Sequence, residues 1–206
     1  MARRKKGRGR KAGKKGKAGK NREVSYVKFF RALCDGKLAV IKAQLQNGAD
    51  VNREFNAKTD SFCRTPLVIA AMECRMKVVK VLLAAGADVN KVMGNGGFFP
   101  LFVAAQSGHT AVVAALLDAG ADANKAMNDG RTPLYAAAGN RRTAVVSALL
   151  DAGADVNTAN NDGTTPLFFA AQEGHTAVVT ALLDGGADVN QADEYGQTPL
   201  YTAAHK

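Results

Sequence analysis

Three histidines, three cysteines and a recurring set of aspartates are the side chains here that could do chemistry. An imidazole can serve as a general base or a zinc ligand, a thiolate can act as a nucleophile, and two carboxylates can divide acid and base work. Each of these roles needs companions at a defined spacing. His109 and His175 each follow a glycine, in Gly108-His109 and Gly174-His175, within segments that are otherwise alike. A catalytic residue has no reason to recur in this way, so both read as structural, and His205 is next to the last residue. Cys34, Cys63 and Cys74 form no Cys-x-x-Cys pair and leave one thiol over in any disulfide scheme, which suits a reducing compartment. Asp88, Asp122, Asp155 and Asp188 all stand in the phrase Gly-Ala-Asp and read as turn formers. There is no Gly-x-Gly-x-x-Gly before a helix, no Walker-type loop and no His-Glu-x-x-His. No nucleophile sits beside a base. The expectation is a protein without catalysis, cofactor or metal.

The elements that would carry these residues repeat. Thr65-Pro66-Leu67, Phe99-Pro100-Leu101, Thr132-Pro133-Leu134, Thr165-Pro166-Leu167 and Thr198-Pro199-Leu200 place prolines at 66, 100, 133, 166 and 199. Gly-Ala-Asp begins at Gly48, Gly86, Gly120, Gly153 and Gly186 on nearly the same beat. Such a period means stacked supersecondary units, each touching only its neighbours.

Residues 158–190 show the unit. Asn161-Asp162-Gly163 signals a turn, Thr165 suits an N-cap and Pro166 the first helical position, where its missing N–H loses nothing. A short helix follows, with Ala170 and Ala171 keeping one side thin. Gly174 ends it, and a second helix runs from Thr176 to Asp184 with Val178, Val179, Leu182 and Leu183 on one face. One helix pair cannot bury that stripe, but a stack can.

The pattern Asp-Gly-x-Thr-Pro-Leu, then Gly-His, Val-Val, Leu-Leu and Gly-Ala-Asp-x-Asn resembles the ankyrin repeat over residues 23–206. The resemblance implies an all-α solenoid of helix-turn-helix repeats with β-hairpin-like fingers, in units of about 23–52, 53–90, 91–124, 125–157 and 158–190 and a partial unit 191–206. It also implies a monomeric scaffold that binds another protein through its fingers and inner first helices. The positions that ankyrin proteins vary at that face are Arg64, Phe98, Gln106, Ser107, Arg131, Asn140, Arg141, Gln172, Glu173 and Tyr195 here. In that family the Asn of the Ala-Asp-x-Asn phrase can be hydroxylated, favoured by Leu eight residues earlier. Leu82, Leu116, Leu149 and Leu182 meet that condition for Asn90, Asn124, Asn157 and Asn190. The expected role of this Asn is hydrogen bonding within the finger turn.

Several positions depart from the family pattern. Its His after Thr-Pro-Leu is replaced by Val68, Phe102, Tyr135, Phe168 and Tyr201, so apolar packing between repeats is expected there in preference to a recognition stripe. Repeat one lacks Thr-Pro-Leu and carries Lys28, Arg31 and Gln44, as a polar-faced cap would. The segment Arg53–Arg64 is longer than its equivalents, and its Phe55 and Phe62 suit either a partner contact or a neutral insertion. Phe98-Phe99 replaces the residues that elsewhere include the Thr cap and suits either recognition or packing on the next finger. Arg141-Arg142 replaces Gly-His, which assigns the positive φ of that turn to Asn140. The chain stops at Lys206 inside a sixth first helix, as a fragment or a frayed cap would.

The formal charge of +10 is uneven. Residues 1–22 hold 12 Lys and Arg and no acid, leaving 16 basic against 18 acidic residues in 23–206. Such a tail lacks the apolar residues to offset its ordering entropy, so disorder is expected. It resembles a nuclear-import signal in charge density, and it suits non-specific nucleic-acid binding, since no aromatic precedes Tyr26 for base stacking. No segment is long and apolar enough to span a membrane, and the N-terminus is no secretory signal. An intracellular protein of the nucleus or cytoplasm is expected. The alternative function is a nucleic-acid- or chromatin-associated adaptor, or the interaction fragment of a larger protein.

Overall fold

A computed structural model describes residues 26–56 and 63–205. The basic tail and Phe62 therefore lie outside the described residues. Residues 26–35 form α1, followed by α2 (Leu38–Gln46). Two-residue strands β1 (Phe55–Asn56) and β2 (Cys63–Arg64) then pair antiparallel, Phe55 opposite Arg64. Helix pairs follow: α3 (Pro66–Met72) with α4 (Met76–Ala84), α5 (Pro100–Ser107) with α6 (Thr110–Asp118), α7 (Pro133–Gly139) with α8 (Thr143–Asp151), and α9 (Pro166–Gln172) with α10 (Thr176–Asp184). The last element is α11 (Pro199–Ala204).

The first helices α3, α5, α7, α9 and α11 pack in one row, and α2, α4, α6, α8 and α10 in a second. This is an all-α stacked solenoid with finger-like turns. Local chemistry sets each start: Thr65, Thr132, Thr165 and Thr198 accept the N–H three residues on, with Pro in the first turn of the helix. Phe99 takes the same extended conformation with no side-chain cap, as its sequence requires.

The core is one seam. Ala70, Ala71, Ala104, Ala105, Ala137 and Ala138 are fully enclosed, so first helices approach closely. Leu82, Leu116, Leu149 and Leu182 are completely buried between second helices. The row after Thr-Pro-Leu is packing: Val68, Phe102, Tyr135 and Phe168 are buried, whereas Tyr201 on α11 is 49% exposed. Phe55 is also buried, against Phe29 and Phe30 of α1, so this finger aromatic belongs to the core and offers nothing to a partner.

Polar bonds hold the register of the stack. The Asn of the Ala-Asp-x-Asn phrase bonds the following repeat, which corrects the expectation of a bond within its own finger turn. Asn90 Nδ2 donates to the Gly120 carbonyl at 3.1 Å, and its Oδ1 accepts from Asp122 N–H at 3.0 Å. Asn52 does the same to Gly86 and Asp88, and Asn124 to Gly153 and Asp155. Asn157 Oδ1 accepts from Asp188 N–H. The Asp of each phrase accepts from the Asn N–H two residues on, which shapes the turn that aims the amide.

Candidate protein-binding surface

The inter-helix turns place most of the varied residues. In each turn one residue takes the left-handed conformation that glycine favours. Gly108 and Gly174 do so at φ 83° and 69°. Cys74 and Arg141 do so at 53° and 58° without being glycine. Asn140, expected to hold that conformation, sits at φ −101° and instead donates its side-chain amide to the Ala136 carbonyl at 2.8 Å. The reason is register: Arg141 occupies the place of Gly108 and Gly174, and the helix end dictates the dihedral there whatever the side chain.

The next residue in each turn reaches back to the preceding repeat. His109 Nε2 lies 2.9 Å from the Met72 carbonyl, and His175 Nε2 lies 3.1 Å from that of Gly139. Arg75 Nη2 donates to the Cys34 carbonyl at 3.1 Å, and Arg142 Nε to that of Gln106 at 3.3 Å. The four acceptors are equivalent positions at the ends of first helices. Histidine and arginine thus do one job in alternation, satisfying a carbonyl that the helix leaves unpaired. Sequence reading identified the histidines as structural but missed the arginines as their equivalents. The signal was available: each follows the left-handed residue.

Fingers also bond one another. Asn128 N–H donates to the Gly96 carbonyl, Asn161 N–H to that of Asp129, and Glu194 N–H to that of Asp162. The fingers from Gly96 to Glu194 form a linked row.

Against this frame the ten varied residues divide. Arg64, Phe98, Gln106, Ser107 and Arg131 are half-buried, while Asn140, Arg141, Gln172, Glu173 and Tyr195 are exposed. Phe98 lies edge-on to Phe102, 6.0 Å between centroids, so its packing is onto its own first helix. Arg131 Nε donates to Asp129 at 2.7 Å, and its guanidinium lies 5.8 Å from the Phe102 ring centroid. Tyr195 is 77% exposed, and its acceptor Glu194 pushes the phenol pKa up. Between these residues Tyr135 and Phe169 stack at 5.0 Å with Gly139 beneath the Phe169 ring, and the Tyr135 hydroxyl pairs with Thr164.

No catalytic grouping emerges among the described residues. Among the described residues, no cluster of three or more His, Cys, Asp or Glu is placed to hold a metal. Burial pushes the Cys34 thiol pKa up, the opposite of what a nucleophilic thiolate needs. No helix is long and apolar enough to cross a membrane among the described residues.

Stacked helix pairs and a row of linked fingers on a buried frame define a helical repeat solenoid. The family model for ankyrin repeats (3 copies) matches residues 29–127, 67–160, 117–193 and 157–206, and the chain belongs to the ankyrin repeat family. It is also similar to a Fowlpox virus (strain NVSL) chain described as an ankyrin repeat protein, FPV244, with 35% identity over 71 residues. That match covers 34% of this chain and 10% of the viral protein. Ankyrin repeats are in general protein–protein interaction modules.

Proposed function

We propose that this chain is a non-enzymatic scaffold that binds another protein through its fingers and the inner ends of its first helices. The observation that carries this reading is where the variation falls. Framework positions repeat and are buried, whereas Asn140-Arg141 and Gln172-Glu173 differ between adjacent repeats and are exposed. Positions that differ between repeats and face solvent are the ones that can specify a partner. Asn140, Arg141, Gln172, Glu173 and Tyr195 are the exposed anchors, with Arg64, Phe98, Gln106, Ser107 and Arg131 completing the surface.

The test compares proteins retained by the full chain with those retained by an Arg141→Ala/Glu173→Ala/Tyr195→Ala variant. A control variant alters Lys80, exposed on the second-helix side. Loss of a retained protein with the triple variant and retention with the control is the expected result. Equal retention by both would remove the fingers and inner helices as the binding surface.

The uneven charge supports a second reading. Residues 1–22 carry 12 basic and no acidic residues, which suits nuclear import or sequence-blind binding of nucleic acid by counterion release. A salt titration of RNA and DNA binding, with and without residues 1–22, tests it. No binding at low salt would end the adaptor reading.

A further inference from the structure

We propose that Asn95 is a site of succinimide-mediated deamidation, a slow covalent change that unlinks its finger from the next. The chemistry needs an Asn whose side-chain carbon can be reached by the backbone nitrogen that follows. Glycine as the following residue hinders that approach least. The sequence holds six steps in which Asn or Asp precedes Gly. In five of them the glycine N–H is already held by the fold. Gly36 donates to the Leu33 carbonyl, Gly48 to Leu45, Gly130 to Met127, Gly163 to Asn160 and Gly185 to Ala181. Among the described residues the Gly96 N–H has no hydrogen-bond partner, alone of the six.

Asn47-Gly48 is the other Asn-Gly step, and both asparagines are exposed. Their backbones differ. Asn47 is the C-cap of α2, and its ψ of 13° holds the Gly48 nitrogen near its own nitrogen and away from its Cβ. Asn95 lies in the turn Gly94–Gly97, closed by the Met93–Phe98 bridge, with glycine on both sides of it. Later fingers are built otherwise: Asn128-Asp129-Gly130 and Asn161-Asp162-Gly163 put Asp where Gly96 stands. Bonding fixes the correspondence, since Asn128 N–H donates to the Gly96 carbonyl as Asn161 N–H donates to that of Asp129. A side chain at that place crowds the attacking nitrogen, and only this finger of the three lacks one.

In the first step the Gly96 nitrogen attacks Asn95 Cγ. The N–Cγ bond forms, the Cγ–Nδ2 bond breaks, and Nδ2 leaves as ammonia with the proton from the Gly96 nitrogen. Water then opens the ring at Cγ, giving aspartate, or at the backbone carbonyl carbon, giving isoaspartate. In isoaspartate Cβ enters the main chain and the former backbone carbonyl becomes a free carboxylate. That carbonyl now accepts from Asn128 Nδ2 at 2.7 Å, and the Gly96 carbonyl beside it accepts from Asn128 N–H at 3.2 Å. Both bonds to the next finger therefore run through the altered segment, and conversion opens the row of fingers at its first junction.

Ageing the full chain in mildly alkaline buffer, then mapping its peptides by mass spectrometry and isoaspartate-specific methylation, tests this. In the folded chain Asn95 should convert at least about tenfold faster than Asn47, which must first leave the helix end. In concentrated urea the two should convert at similar rates. Gly96→Asp, which gives this finger the sequence of the next two, should slow Asn95 by at least about tenfold with circular dichroism unchanged. Hydrogen exchange at the Asn128 amide should be faster in the aged chain. It should be unchanged in Asn95→Asp, which adds the charge without lengthening the backbone. Equal rates at Asn95 and Asn47 in the folded chain, a preference that persists in urea, a Gly96→Asp chain that converts as fast, or an Asn128 amide indifferent to ageing would each overturn the proposal.

Discussion

At Arg141 the backbone adopts φ 58°, a region that crowds any Cβ and that glycine enters without penalty. The side chain is exposed and makes no framework contact, unlike its neighbour Arg142. Arg141→Gly is therefore expected to stabilise the fold by about 0.5–1 kcal/mol, read as a higher urea midpoint at unchanged slope. If Arg141 anchors a partner, the same change weakens binding, so stability and function separate at this residue. Gly139 presents the reverse case. A methyl group there would overlap the Phe169 ring, which stacks on Tyr135. Gly139→Ala should lower stability by about 1–3 kcal/mol through overpacking. Adding Phe169→Ala should recover part of that loss, and a double-mutant cycle measures the coupling.

For each turn and helix pair, the decisive bonds run between repeats. Asn124 donates to Gly153 and accepts from Asp155, so one side chain ties two backbone groups of the next unit. Asn124→Ala removes both bonds and is expected to lower stability by about 1–3 kcal/mol. Asn124→Asp keeps the acceptor and loses the donor, and should fall between the two. Urea denaturation of the three proteins ranks them. The sequence made helix ends legible because capping is local: Thr-Pro at the start and Gly after the end name their positions. It misplaced the reach of the asparagine because a phrase in one repeat says nothing about which carbonyl of the next lies 3 Å away. The Arg75 and Arg142 bridges were hidden for the same reason.

Over the whole molecule, stability is a sum of unit and neighbour terms. Leu116 is fully buried at the centre of the second-helix row. Leu116→Ala should lower stability by about 2–5 kcal/mol and split a single unfolding transition into two, as the halves on either side lose their coupling. Calorimetry distinguishes this from uniform weakening, which would shift one transition without dividing it.

Sequence alone determined the repeat, the helix starts and stops, the apolar seam and the uneven charge, because each depends on residues near one another or on counting. It also named a set of variable positions for the proposed binding surface, though not which of them are accessible. Phe98 folded onto Phe102, Phe55 entered the core and Arg131 paired with Asp129, while Arg141, Glu173 and Tyr195 stayed exposed. Only the tertiary structure decided that division. A side chain's exposure depends on what the neighbouring unit places against it, and that neighbour lies some thirty residues away along the chain but in van der Waals contact across the stack.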